Sequence, residues 1–247
     1  MAAWRRTGLA GSHAGLSRRG ARSHAPRQYR QRRWPPARWQ AGCPGGVARR
    51  VSVRTGVSDA EACGSLPGDE FITHPMVEWT RGITANASPD RVRPWLVQMG
   101  YGRGGWYTPE WVDLVANRWV FGVRHPFPAS TRRLLPEFQH VAVGDLICDG
   151  PDYASYLRVL RVDPQHALVY RSIRHPRRGS PIDITDPASP QRTEQQLRDA
   201  GVYMDFTWAL VLNEHPGGRT RLLVRTRANY PQSFVSLPWW PEAFGWG

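Results

Sequence analysis

The chain has 247 residues with a formal charge of +13, so it suits one sizeable domain with an extension, or at most two domains. Hydrophobic residues at 40%, 12 of the residues being Trp, allow a substantial core. The charge excludes less than it suggests: residues 1–58 hold 13 Arg and no acid, leaving 20 Arg against 20 acids in the remainder.

Residues 1–54 are rich in Arg, Gly, Pro and Ser and show no apolar period. Such a segment buries too little surface to offset its ordering entropy, and is expected to be a disordered extension. A start at Val51, Val53 or Val57 would omit most or all of it. Nucleic acid is expected to associate only weakly, and only through this segment. No apolar run is long enough to span a bilayer, and the first residues lack the apolar stretch of a secretory signal. Three scattered cysteines, Cys43, Cys63 and Cys148, give no disulfide framework, so a reducing, cytoplasmic setting is the default.

From 55 onward the composition is that of a folded domain, expected over 55–247. Residues 77–85 alternate as a strand with Val77, Trp79, Arg81 and Ile83 on one face. Ser88-Pro89-Asp90 starts a helix whose stripe is Val92, Trp95, Leu96 and Met99, with Pro94 inside and Gly100 past its end. Thr108-Pro109-Glu110 repeats the start signal for a second short helix carrying Trp111, Val112, Leu114 and Val115. Strands follow over 144–149, 154–162, 167–173, 203–213 and 219–228, with a helix at 189–200 in an insert. Met204, Phe206, Trp208, Leu210 and Leu212 share one phase. The last strand sets Thr220, Leu222, Val224 and Thr226 against Arg219, Arg221, Leu223, Arg225 and Arg227. That alternation predicts an antiparallel sheet with one apolar face and one wet face.

Little in the sequence carries chemistry. The run Gly100-Tyr-Gly102-Arg-Gly104-Gly105 follows a helix where a dinucleotide fingerprint follows a strand, so it reads as a tight loop. The eight histidines show no metal spacing, no cofactor is implied, and no nucleophile elbow is present. His140 has the chemistry of a general acid or base but reads first as a loop histidine. Asp149 and Asp152 frame a turn. The aromatic residues Trp106, Tyr107, Trp111, Trp119, Phe121, Tyr153, Tyr156, Tyr170, Phe206 and Trp208 fit two readings: a plain core, or an apolar cavity with a few polar handles. Arg81 shares a phase with Trp79 and Ile83, which aims a guanidinium at the apolar side. It would there meet an anionic ligand, an internal ion pair, or solvent at the sheet edge.

The order strand, two short helices, then antiparallel meander resembles the SRPBCC superfamily of the helix-grip fold. The segments that carry the resemblance are Ser65-Leu-Pro-Gly-Asp-Glu, Trp79-Thr-Arg-Gly-Ile-Thr, the stretch Pro94 to Tyr107, Leu135-Pro-Glu-Phe-Gln-His with Val143-Gly-Asp, and Thr207 to Arg227. The resemblance implies an α+β fold with a curved sheet around a cavity for an apolar small molecule. It transfers no catalytic residue, because the superfamily includes carriers as well as polyketide cyclases and dehydratases. The expected ligand-binding residues are Arg81, Trp106, Tyr107, Trp111, Tyr156, Tyr170, Phe206 and Trp208. Three readings follow: a non-catalytic binder, a cyclase/dehydratase-type enzyme, or nucleic-acid association through the basic residues of 1–54. The family's long closing helix has no counterpart in 231–247, which holds three prolines and no helical stripe, so that helix is expected to be missing or truncated.

Overall fold

The computed structural model describes residues 38–41, 51–107, 130–150, 153, 155–176 and 180–231, those at 38–41 and 51–53 by backbone alone. The fold is α+β: a curved, mostly antiparallel sheet with a few short helices. The strands are β1 (Arg38–Ala41), β2 (Val51–Thr55), β3 (Val77–Ala85), β4 (Leu146–Cys148), β5 (Tyr156–Asp163), β6 (Ala167–Arg174), β7 (Met204–His215) and β8 (Arg219–Asn229). Their order across the sheet is β1-β2-β3-β8-β7-β6-β5-β4, with β2–β3 the one parallel pair among them. The helices are α1 (Asp59–Cys63), α2 (Pro89–Val97) and α3 (Ser189–Asp199).

Two elements depart from the expected boundary at 54/55. Strands β1 and β2 lie within the segment expected to be disordered, and the boundary itself falls inside β2. Val51, Val53 and Thr55 alternate along β2, and it pairs with β3 from Val51↔Val77 to Thr55↔Arg81. The missing apolar period of 1–54 does not exclude so short a strand, because backbone pairing with β1 and β3 supplies much of what holds it. The expected helix at 108–115 and the expected closing segment at 231–247 lie outside the described residues, Pro231 apart.

One sheet face has the expected phase. Leu157, Val159, Leu168, Tyr170, Leu210 and Leu212 pack with Leu96, Val97 and Met99 from α2 and its end, and Phe206, Trp208, Leu222 and Val224 join them. α2 therefore lies on this face, as its stripe of apolar residues requires.

The other face is not wet. It is covered by the segment 57–71 and by α3. Val57, Leu66 and Phe71 pack on Val169, Ala209, Val211 and Leu223. Arg221, Arg225 and Arg227 of β8 lie beneath this cover and are neutralised there. Arg221 grips Glu61 with Nε and Nη2 at 2.7 and 2.9 Å. Arg227 Nε donates to Glu78 at 2.8 Å. Arg225 is 2% exposed and donates to Thr80 Oγ1, to Asp69, and to the carbonyls of Gly64, Glu61 and Ala62. Burial of a guanidinium is tolerable only with its donors satisfied, and here they are. α1 is positioned for this by a reciprocal cap, Ser58 N–H to Glu61 Oε2 and Glu61 N–H to Ser58 Oγ. Gly82 lets the cover approach: a Cβ there would lie 2.5 Å from Arg221 Nη2 and 2.8 Å from Val57.

Cys63 is disulfide-bonded, against the expectation of reduced cysteines, and Cys148 is a buried thiol outside any disulfide. Among the described residues no helix is long and apolar enough to cross a membrane.

Candidate functional site

The aromatic residues expected to line a cavity divide between packing and position. Trp208 lies between Trp106 and Tyr170, with ring centroids 5.7 and 6.1 Å apart. Phe206 continues the same face beneath Arg174, whose guanidinium is 4.9 Å from its centroid. These four form packed core, although the Trp106 Nε1–H is buried without a hydrogen-bond partner. Burial pushes the Tyr170 hydroxyl up to about 12, against the pull of Arg103 and Arg93. Arg81 is half-buried on this face, opposite Val224 in the register. Trp111 lies outside the described residues.

Two members are elsewhere. Tyr107 stacks edge-on against Trp95 at 5.9 Å and accepts from Gln98 Nε2 at 2.5 Å. Tyr156 is on the opposite sheet face from Trp208. Leu157 and Val159 take the α2 side of β5, so strand alternation turns Tyr156 toward α3. There its hydroxyl donates to Glu194 at 2.8 Å, and burial and the Glu194 carboxylate raise its pKa. It therefore supports α3 and does not line a cavity with the other rings.

Among the described residues, an open space lies beside the aromatic cluster, at the β4 edge of the sheet. It is a cleft of about 580 Å³. Its aromatic walls are Tyr101, Phe138 and Tyr153, its aliphatic walls Leu146, Ile182 and Ile184, and Arg103, Cys148 and Asp183 supply polar groups. Volume and lining fall in the range of small-molecule sites.

Local structure explains how each wall is held. The glycine-rich run after α2 forms the tight loop expected of it. Gly100 and Gly105 bridge, Gly104 N–H bonds Gln98 O at 2.7 Å, and Tyr101 N–H bonds Cys148 O at 2.9 Å, tying the loop to β4. Gly100 has φ 134°, and a Cβ there would meet Ile147 at 2.6 Å and Arg103 Cδ at 2.9 Å. Only glycine lets this loop fold Arg103 back onto α2. Arg103 donates from Nε to Met99 O at 3.2 Å, and from Nη2 to Val97 O at 3.1 Å and Phe138 O at 3.2 Å. Its guanidinium lies 4.5 Å from the Phe138 centroid.

Phe138 ends a 3₁₀ turn, Pro136–Phe138, that is fastened by Gln98. Gln98 is fully buried with its amide satisfied on both sides. Nε2 donates to Tyr107 Oη and Arg133 O, and Oε1 accepts from Leu135 N–H and Gln139 Nε2. Across the cleft, Tyr153 holds a left-handed backbone with φ 51°, uncommon for a residue with a Cβ. Burial raises its hydroxyl pKa, aided by Cys148 and opposed by Arg103. The Cys148 thiol donates to Gly150 O at 2.7 Å. Asp149, expected only to frame a turn, also pairs with Arg174 Nη1 at 2.5 Å. Asp183 Oδ1 accepts from the Thr185 hydroxyl and N–H, and the Thr185 hydroxyl is the main reason its pKa is lowered.

The sequence reading missed Gln98, Arg103 and Phe138 as site residues. The glycine spacing around Arg103 was the one signal that could have marked it. Among the described residues no group of three or more His, Cys, Asp or Glu is placed to hold a metal ion.

No protein-family model matches the chain, and no curated protein matches it. Among solved structures it is similar to the Mll3558 protein from Rhizobium loti, with 14% identity and TM-score 0.33, over 67% of this chain and 85% of that one. It is also similar to protein MLL2253 from Mesorhizobium loti, with 16% identity and TM-score 0.29, over 67% and 83%. Both are distant neighbours.

Proposed function

We propose that the protein binds a small apolar or aromatic molecule in the cleft at the β4 edge, as a helix-grip protein of the SRPBCC type. The observation that carries this reading is the lining itself. Three aromatic rings and three aliphatic side chains surround about 580 Å³, with a single guanidinium fixed in the wall. The order strand, helix, meander supports the superfamily. Binding is favoured over cyclase or dehydratase chemistry by the state of the ionisable lining. Asp183 is held below its ordinary value and stays a carboxylate at neutral pH, and Tyr153 is held above its own and stays protonated. Neither is poised near neutrality, where a general acid or base works best.

The test is titration with Nile red, a neutral dye whose emission shifts on entering an apolar site, alongside native mass spectrometry for a co-purified ligand. Ile184 is exposed at the rim, so Ile184→Asp spoils the lining with little cost in stability. Dye binding by the wild type that falls about tenfold or more in this variant supports the cleft. Equal binding by both overturns it.

A further inference from the structure

The geometry points to a carboxylate on the ligand, received by the free Nη1 of Arg103 and the hydroxyl of Tyr153. This inference rests on the cleft reading and adds the chemical class: an apolar small molecule carrying one carboxylate.

Arg103 differs from six other arginines held against the sheet. Arg158, Arg171, Arg174, Arg221, Arg225 and Arg227 each pair with a carboxylate within 3.1 Å. Arg103 is held by three backbone carbonyls, which fix the plane of its guanidinium but leave its charge uncompensated. They occupy Nε and both N–H groups of Nη2. Among the described residues the two N–H groups of Nη1 therefore have no partner, on a side chain that lines the cleft. The carboxylate that bears on Arg103 from within the protein is Asp145, and its Oδ2 already accepts the Ala142 N–H at 2.8 Å.

A guanidinium fixed in orientation and left with two donors is pre-organised for an oxyanion, because little further ordering is needed on binding. Tyr153 adds a neutral donor from across the cleft. Among the described residues its hydroxyl has no hydrogen-bond partner, and it is close enough to Arg103 to feel its charge. The left-handed backbone of Tyr153 directs a bulky ring into a cleft at a conformational cost, and such strain gathers where a ligand is gripped. Burial opposes the charge on Arg103, and an incoming anion would relieve that.

The experiment compares 2-naphthoate with 2-naphthamide, which share shape and apolar area and differ in charge. Calorimetry on the wild type should show naphthoate binding about tenfold tighter or more, the scale of a charge-assisted hydrogen bond. The preference should shrink in salt and vanish in Arg103→Gln, with naphthamide affinity retained. Arg103 also ties three carbonyls, so its removal costs stability as well as charge, and Asp183→Asn provides a second arm. Removing that negative charge from the lining should tighten naphthoate and leave naphthamide unchanged. Equal affinities of the two probes in the wild type overturn the carboxylate while leaving the cleft standing. Failure of both probes and of Nile red to bind overturns the cleft and this inference with it.

Discussion

The Arg225 guanidinium meets the Asp69 carboxylate at 2.7 Å across 156 positions of sequence, beneath the cover formed by residues 57–71. Breaking a buried pair leaves the surviving charge uncompensated, and here it also strands the carbonyls of Gly64, Glu61 and Ala62. Arg225→Met should therefore destabilise the fold by roughly 3–5 kcal/mol in urea unfolding. A loss under about 1 kcal/mol would mean that the cover does not seal this face.

Acid should loosen the same cover. Hydrogen bonding from Arg221 leads the effects that lower Glu61 from 4.5 to about 2, with burial opposing and the Ser58 N–H assisting. A folded-state pKa below the unfolded one gives stability that is fully present above the unfolded value. It is lost as pH falls through the folded value. Urea midpoints should thus drop between pH 4.5 and about 2. Glu61→Gln should be less stable at neutral pH and show a shallower drop over that window. Parallel curves for the two proteins would remove Glu61 from the acid response.

Gln98 couples the core to the cleft, since its amide fastens the turn that carries Phe138. Gln98→Leu keeps the volume but leaves the Leu135 N–H and the Arg133 carbonyl without this partner. A loss of at least about 2 kcal/mol is expected from two such groups. Nile red affinity should fall as well, because the Phe138 wall is freed. Stability lost with affinity intact would show that the wall is held by other contacts.

Legibility followed sequence distance. β3 and the meander strands were readable because a period of two survives in a single chain, and α2 because its stripe and its N1 proline are local signals. The phase of Phe206, Trp208, Leu210 and Leu212 was readable for the same reason. The arginines of β8 were read as wet because alternation reports polarity and cannot report a cover. α1 is a five-residue helix, too short to show a helical period, and the acids that neutralise those arginines lie 149 to 160 residues away. The cleft was invisible for a related reason. Its walls come from 101–103, 138, 146, 148, 153 and 182–184, and no one segment carries a pattern of its own.

Tyr153 offers a separation of stability from binding. A left-handed conformation costs a non-glycine residue roughly 1 kcal/mol, which glycine does not incur. Tyr153→Gly should leave thermal stability unchanged or slightly raised, while naphthoate affinity drops with the loss of the ring and hydroxyl. A variant that is much less stable would show that the ring serves mainly as packing.

Trp208→Ala and Phe138→Ala decide between the cluster the sequence favoured and the cleft. Trp208 is packed between Trp106 and Tyr170, so Trp208→Ala removes two ring contacts and leaves a void under α2. The expected cost is about 3 kcal/mol, toward the lower end for a core aromatic because the ring is only partly buried. None of the residues lining the cleft is Trp208, so Nile red and naphthoate affinities should stay within about threefold of the wild type. Phe138→Ala should do the reverse. It lies on a surface turn, so the fold loses less, but the cleft loses an aromatic wall and the ring on which Arg103 rests. Affinity for both probes should fall about tenfold or more. Should Trp208→Ala abolish binding at a temperature where the variant remains folded, and Phe138→Ala leave it intact, the ligand sits among Trp106, Tyr170 and Trp208. The packed rings would then have to part to admit it, and the cleft beside them would be its entrance.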